Sequence, residues 1–242
     1  MVGKPILKMP DFFLELFSEE IPVGLQRNAR QNIQQNFKEF FLKKNINFGK
    51  NLSFSTPNRL LILFEKIQTE IHQKEEEIKG PKIDASEKAL NGFLRSNNLN
   101  KKDIYKKEID KGFFYFAKKP SKTIKVFEIL NENIPTILDK VSWKKSMKWG
   151  EFDLYWGRPL KSILATFNKT KLSFKFHHLQ SSNFTYLDKS SENRTKVFNN
   201  FKSYEKYFKK NNIIIDHNLR KKVIENQVNK LLKRKFLNIE LD

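Results

Sequence analysis

"DFFLELFSEEIP", Asp11 to Pro22, is the stretch from which the rest of the chain can be organised. Phe12 to Phe17 is an apolar run of strand length and reads as a buried strand. An acidic turn follows at Glu19 and Glu20, and Pro22 sits where a helix can start. From Val23 to Lys43, apolar residues fall at Ala29, Ile33, Phe37, Phe40 and Phe41. Steps of four and three put one stripe toward a core, so this is an amphipathic helix, closed at Lys44.

Downstream, Leu52 and Phe54 alternate with polar residues, a Thr56-Pro57-Asn58 turn follows, and Leu60 to Phe64 is again apolar. These are two strands. "HQKEEEIKGPK" reads as a charged connector broken at Gly80-Pro81. A short helix comes next, with Ser86 as its N-cap and Ala89, Leu90, Phe93 and Leu94 on its apolar side. "DIYKKEIDKGFFYFAKK" reads as a hairpin turning at Asp110-Lys111-Gly112. "TIKVFEILNENIPTILDKV" is helical by period, and Pro135 leaves two short helices or one kinked helix open. "SILATF" and "KLSFKF" read as strands, and the segment from Ser203 to Lys235 as helix, short strand, helix.

Strands and helices are interspersed without a regular βαβ beat. The expected class is therefore α+β, a mixed or antiparallel sheet with flanking helices plus a small basic helical C-terminal tail. The weak break is Ser181 to Asn193, which suggests an α+β domain over residues 10–180 and a basic helical segment over 194–242. The end, "FLNIELD", reads as leading into a further domain.

The chain has 242 residues and a formal charge of +20, from 47 Lys and Arg against 27 Asp and Glu. Such an excess points to a polyanion. Composition offers a duller cause: 39 Lys against 8 Arg, with 24 Asn and only 5 Ala, is the pattern an AT-rich genome imposes. Cys is absent, which excludes disulfides and Cys-based zinc sites and fits a reducing cytoplasm. No apolar run approaches the roughly 18–20 residues that span a bilayer. There is neither a Gly-rich phosphate loop nor a Gly-x-Ser-x-Gly nucleophile motif. His72, His177, His178 and His217 lack metal-ligand spacing, so neither catalytic nor metal-ligating residues are expected in this chain.

What remains is "SWKKSMKWGEFDLYWGRPL", Ser142 to Leu160, which holds all three tryptophans. Tryptophan stacks on unpaired bases, and flanking lysines neutralise phosphates. Because Phe152, Leu154 and Trp156 alternate as in a strand, Trp156 reads as core. Arg158, fixed between Gly157 and Pro159, suits a phosphate or a buried ion pair.

Taken in order, several segments resemble one family. "FFLELFSEEIP" is similar to the opening strand and turn of the β subunit of bacterial heterotetrameric glycyl-tRNA synthetase, which reads like LLxEIGTEELP. "STPNRLLILFEKI", "KGPKIDA", "ALNGFLRSNNL" and "DKGFFYFAKK" resemble that family's TPRRLA, Gly-Pro, AxGFAR and Lys-Gly hairpin elements. "MKWGEFDLYWGRPLKSILATF" is similar to its M-R-W…F-x-R-P element, and "SYEKYFKKNNIIIDHNLRKKVI" to its DYEEXLREAxVIxDxxxRKxxI pattern. The matches run from about Phe12 to about Gln227. One element departs: where the family carries Gly-His-Arg-Phe, this chain has "SNFTYLDKSSENRTKVF", so no role of that His-Arg pair carries over.

The resemblance implies a holoenzyme of two α and two β subunits that attaches glycine to tRNA(Gly) in the cytoplasm. ATP, Mg and glycine would be handled by the α subunit, leaving no cofactor in this chain. The β subunit would be a large tRNA-handling partner with its anticodon reader toward the C-terminus, and this chain an N-terminal, non-catalytic, tRNA-binding and scaffolding portion. The candidate tRNA contacts are Arg59, Lys144, Lys145, Lys148, Trp149 and Arg158. The alternative from another class is a stand-alone basic RNA- or DNA-binding module without a synthetase partner.

Overall fold

The structure, a computed structural model, describes residues 9–109, 112–187 and 195–235. Asp110 and Lys111 of the expected hairpin turn, residues 188–194 at the end of the polar loop, and the terminal "FLNIELD" lie outside the described residues. The chain forms two compact units: one from the residues up to Thr69 and from Val126 onward, the other from Glu70–Lys125. Their limits at 69/70 and 125/126 mark a segment set within the sequence of the first unit.

The first unit begins with β1 (Phe12–Ser18), α1 (Val23–Lys43) and the hairpin of β2 (Asn51–Thr56) and β3 (Arg59–Phe64). The second unit supplies β4 (Glu70–Gln73), β5 (Glu76–Lys82), α2 (Glu87–Asn97), β6 (Ile104–Ile109), β7 (Gly112–Lys119) and β8 (Lys122–Lys125). The first unit resumes with α3 (Val126–Asp139) and β9 (Leu160–Phe167). Short strands follow as β10 (Thr170–Lys171), β11 (Lys175–Phe176), β12 (Leu179–Gln180), β13 (Phe184–Tyr186) and β14 (Thr195–Val197). Helices α4 (Phe201–Lys210) and α5 (His217–Lys235) complete it. The class is α+β, and the strand pairings are antiparallel apart from one isolated parallel bridge, Leu164 to Ser182.

The main sheet has the order β10-β9-β1-β3-β2, so β1 is central, with Phe12 opposite Phe64 on one side and Phe167 on the other. All seven residues of β1 are buried. Both faces of the strand are covered, which is why its sequence does not alternate. On one face Phe12 meets Phe37 of α1 with ring centroids 5.1 Å apart, and Phe41 meets Phe64 edge-on at 4.9 Å. On the other, Phe13, Leu61, Leu63 and Leu164 pack against Tyr204 and Phe208 of α4, with Phe198 and Ile215. The amphipathic stripe of α1 is buried at Ala29, Ile33, Phe37 and Phe41, over the expected helix limits.

Several expectations are corrected by the packing. The charged connector is strand: β4 pairs with β8, and β5 with β7. Gly80-Pro81 does not end β5, because the register shifts between Lys79 and Lys82 and β5 is an edge strand. A bulged edge tolerates a residue without an N–H. Gly80 also touches Phe93 so closely that a Cβ would lie 2.9 Å from the ring. Residues 122–125 are strand and α3 is one helix through Pro135, held by buried Leu130, Ile134, Ile137 and Leu138. "KLSFKF" buries Leu172, Phe174 and Phe176 as its alternation implies, but only two-residue strands form. Ile213 to Ile215 form no strand; they are the link that wedges Ile215 under α4.

The two sides of α1 should respond differently to truncation. Phe41→Ala is expected to lower unfolding free energy by about 3–5 kcal/mol, and Leu42→Gln, at an exposed site, by no more than about 0.5 kcal/mol. Urea denaturation of the two variants checks this.

Candidate nucleic-acid interface

Between α3 and β9 the chain runs without helix or strand from Lys140 to Pro159. Met147 and Trp156 exchange backbone hydrogen bonds of 2.8 and 3.1 Å, which closes the loop Lys148 to Tyr155. Its base is apolar. Trp156 is 2% exposed, edge-on to Trp143 at 5.0 Å and to Phe176 at 5.9 Å. Trp143 lies over Gly157, where a Cβ would sit 2.2 Å from the indole, so no larger residue fits the turn. Trp156 is core, as its spacing with Leu154 implied.

The expected strand over Phe152, Leu154 and Trp156 does not form. Gly150 takes a φ of +53°, and the turn it makes returns Phe152 N to donate to Trp149 O. Leu154 goes inward while Phe152 stays 41% exposed and stacks on His178 at 3.7 Å. His177 and His178 are the tip of the β11–β12 hairpin, not strand residues, and His177 has a φ of 50°. Burial, then the charge of His177, pushes the His178 imidazole toward its neutral form.

The candidate residues separate by environment. Lys144 and Lys145 are exposed and have no carboxylate within ion-pair distance among the described residues. Lys148 is exposed and paired with Asp153 at 2.7 Å, a contact that also holds the Asp153 carboxyl below its usual range. Trp149 is half-buried, its ring edge-on to His178 at 5.9 Å. Arg158 is half-buried; its Nη1 donates to Gly157 O at 2.8 Å, and no described carboxylate pairs with it. The Gly-Arg-Pro turn is ordered instead by the backbone, with Glu19 N donating to Pro159 O at 2.9 Å. Glu19 is itself bridged to Lys161 at 2.7 Å, so the acidic turn is a charge partner of β9.

Arg59 is the correction. Its side chain is 4% exposed, its Nε lies 3.3 Å from Glu15 Oε2, and its Nη2 donates to the carbonyls of Tyr186 and Leu187. The guanidinium is stacked between Phe17 and Phe208, 4.5 and 4.7 Å from the ring centroids. Burial that complete removes it from the phosphate-contact set and makes it architectural. Thr185 and Tyr204 donate their hydroxyls to the two oxygens of Glu15. Burial pushes the Glu15 carboxyl up, while the Arg59 charge and the two hydroxyls pull it back. Sequence reading missed this cluster; its one visible signal was Glu15, the single charge inside an apolar strand.

Among the described residues no group of three or more acidic or His side chains could hold a metal ion, and no helix is long and apolar enough to cross a membrane. The result is an α+β core with a closed loop that presents lysines and aromatics outside its sheet. A family model described as "Glycyl-tRNA synthetase beta subunit" matches residues 12–242. Similar curated proteins are the Glycine–tRNA ligase beta subunits of Rickettsia akari (35% identical) and Rickettsia typhi (37% identical), each aligned over 234 residues. Each alignment covers 97% of this chain and 35% of the relative. The same subunit of Rickettsia prowazekii is 36% identical over 232 residues, 96% of this chain and 35% of the relative. The chain belongs to the glycyl-tRNA synthetase beta subunit family and spans about a third of the length of these relatives.

Removing the buried cation should be far costlier than removing the exposed ones. Arg59→Met is expected to destabilise by about 3–5 kcal/mol, by leaving Glu15 buried without its partner. Lys144→Gln and Lys145→Gln should each stay within about 0.5 kcal/mol of wild type, measured by guanidinium unfolding.

Proposed function

We propose that this chain is a non-catalytic, tRNA-binding and scaffolding portion of a glycine–tRNA ligase beta subunit. It supports ATP-dependent attachment of glycine to tRNA(Gly) in a cytoplasmic holoenzyme of two alpha and two beta subunits. ATP and Mg belong to the alpha subunit in this reading, and the chain contributes surface rather than bond-making groups. Membership of the beta subunit family supports the reading of an alpha-subunit partner and a tRNA substrate.

RNA contact is carried by one observation: the same segment, residues 142–158, carries exposed Lys144 and Lys145, without a described carboxylate partner, together with half-buried Trp149 and exposed Phe152, on a base fixed by Trp143 and Trp156. Rigid aromatic edges beside free ammonium groups can stack on an unpaired base and neutralise its flanking phosphates. Lys148 joins them if a phosphate displaces Asp153, and Arg158 stands at the end of the same segment with no carboxylate partner among the described residues.

The triple variant Lys144→Gln, Lys145→Gln, Lys148→Gln should weaken tRNA binding and make the log-affinity against log-salt slope shallower by about 2–3. Fluorescence anisotropy with labelled tRNA at several salt concentrations reads this. Wild-type chain that fails to bind tRNA at low salt would reject RNA contact and leave scaffolding alone. Scaffolding is tested by pull-down of the alpha subunit with tagged chain.

A further inference from the structure

The first turn of α5 rests against α1 and the end of β2, and cations make the contact. Arg30 of α1 is buried; its Nη1 donates to Ser55 Oγ at 3.2 Å and its Nη2 lies 2.8 Å from His217 Nε2. Arg220 of α5 donates from Nη2 to Ser55 O at 3.1 Å and from Nη1 to Ile214 O at 2.8 Å. Arg27 stands three residues before Arg30 on α1, hence on the same face, and is exposed. Two of the chain's 8 arginines therefore meet at Ser55, and Arg27 is close enough to Arg30 for its charge to act on it.

No described carboxylate forms an ion pair with any of the three. The nearby acid, Asp216, is engaged as the cap of α5, its Oδ1 accepting from the backbone N–H groups of Asn218 and Leu219. A guanidinium can only donate, so His217 Nε2 accepts from Arg30 and the ring proton sits on Nδ1. That Nδ1 is buried and has no hydrogen-bond partner among the described residues. The cluster is rich in donors and short of acceptors. Its members also oppose one another: burial first, then the charges of Arg27 and Arg220, make Arg30 a weaker base than an ordinary guanidinium.

We infer that Arg27, Arg30 and Arg220 form a phosphate-binding notch that receives one backbone phosphate of an RNA. Paired N–H groups of a guanidinium match phosphate oxygens in a way an ammonium does not, and a bound dianion or phosphodiester relieves the mutual repulsion. Arg27 is exposed to solvent beside the buried Arg30, and exposed Lys221 and Lys222 follow Arg220 along α5. The net charge of +20 favours RNA over an acidic protein side chain as the source of the oxyanion. The RNA part of this inference rests on the tRNA-binding reading; the notch itself does not.

The test uses the 242-residue chain and begins with inorganic phosphate. Thermal unfolding is followed in sodium phosphate and in sodium chloride of matched ionic strength. A ligand that binds only the native state raises Tm, so phosphate should give a saturable increase that chloride does not. Arg27→Gln removes most of that increase, and because Arg27 makes no hydrogen bond to a described residue the variant should fold. Lys38→Gln, an exposed change of the same charge elsewhere on α1, retains it. In the second arm, Arg27→Gln weakens labelled-tRNA binding several-fold and lowers the salt slope by about 1.

An equal phosphate response in wild type and Arg27→Gln overturns the notch. A lost phosphate response with unchanged tRNA affinity overturns RNA as the occupant and points to an acidic group of a protein partner. Wild type that responds to phosphate but binds no tRNA overturns the RNA reading of the whole chain while leaving the anion site demonstrated.

Discussion

The arrangement of the first unit depends on one buried ion pair. Glu15 stands at the middle of the central strand, fully buried, and Arg59 opens the neighbouring strand. Two charges taken out of water cost several kcal/mol each, and their attraction offsets this only when the remaining polar atoms are satisfied. Here most of them are satisfied by distant parts of the chain, while Arg59 Nε has the ion-pair contact with Glu15 but no hydrogen bond among the described residues. Thr185 and Tyr204 complete the carboxylate, and the carbonyls of Tyr186 and Leu187 take the guanidinium. The pair thereby specifies where β13 and α4 must lie on the sheet, which the apolar contacts of Phe13, Phe208 and Phe198 alone would leave less determined.

With α1 on one face and α4 on the other, the sheet becomes a covered layer, and polar function is left to what emerges from its edges and ends. The 142–158 segment enters β9 through Leu160, whose strand pairs with Ser18 at the end of β1. The Arg27–Arg30–Arg220 notch is built where α5 leaves the core beside Ser55 of β2. Both cationic surfaces are thus held by the first unit. Neither depends on a flexible tail, so the basic charge of this chain is partly fixed in space rather than spread over solvated lysines.

Local order was legible wherever one face or one run decided the burial. β1 was readable from Phe12 to Phe17, and α1 from its apolar steps, because contacts with the core fall at helical spacing. The strands of the second unit were not, because β4 and β5 are mostly exposed or half-exposed and carry charge where alternation would show. Arg59 follows a turn in sequence, and nothing local marks it as buried; its burial is set by residues 127 and 128 positions away. The same holds for the notch, since Arg30 and His217 are 187 residues apart. Trp156 was legible as core, while Phe152 was not legible as exposed, because the reversal at Gly150 depends on backbone geometry that periodicity does not encode.

RNA, in the function proposed, is held by side chains that this core fixes in place. Photo-crosslinking of the chain to tRNA, followed by mass spectrometry of the linked peptides, addresses that directly. It predicts adducts concentrated on the peptides that carry Lys144, Lys145, Lys148 and Trp149, lost when excess unlabelled tRNA competes. Adducts spread evenly over the exposed lysines of the chain, or absent from residues 142–158, would contradict it.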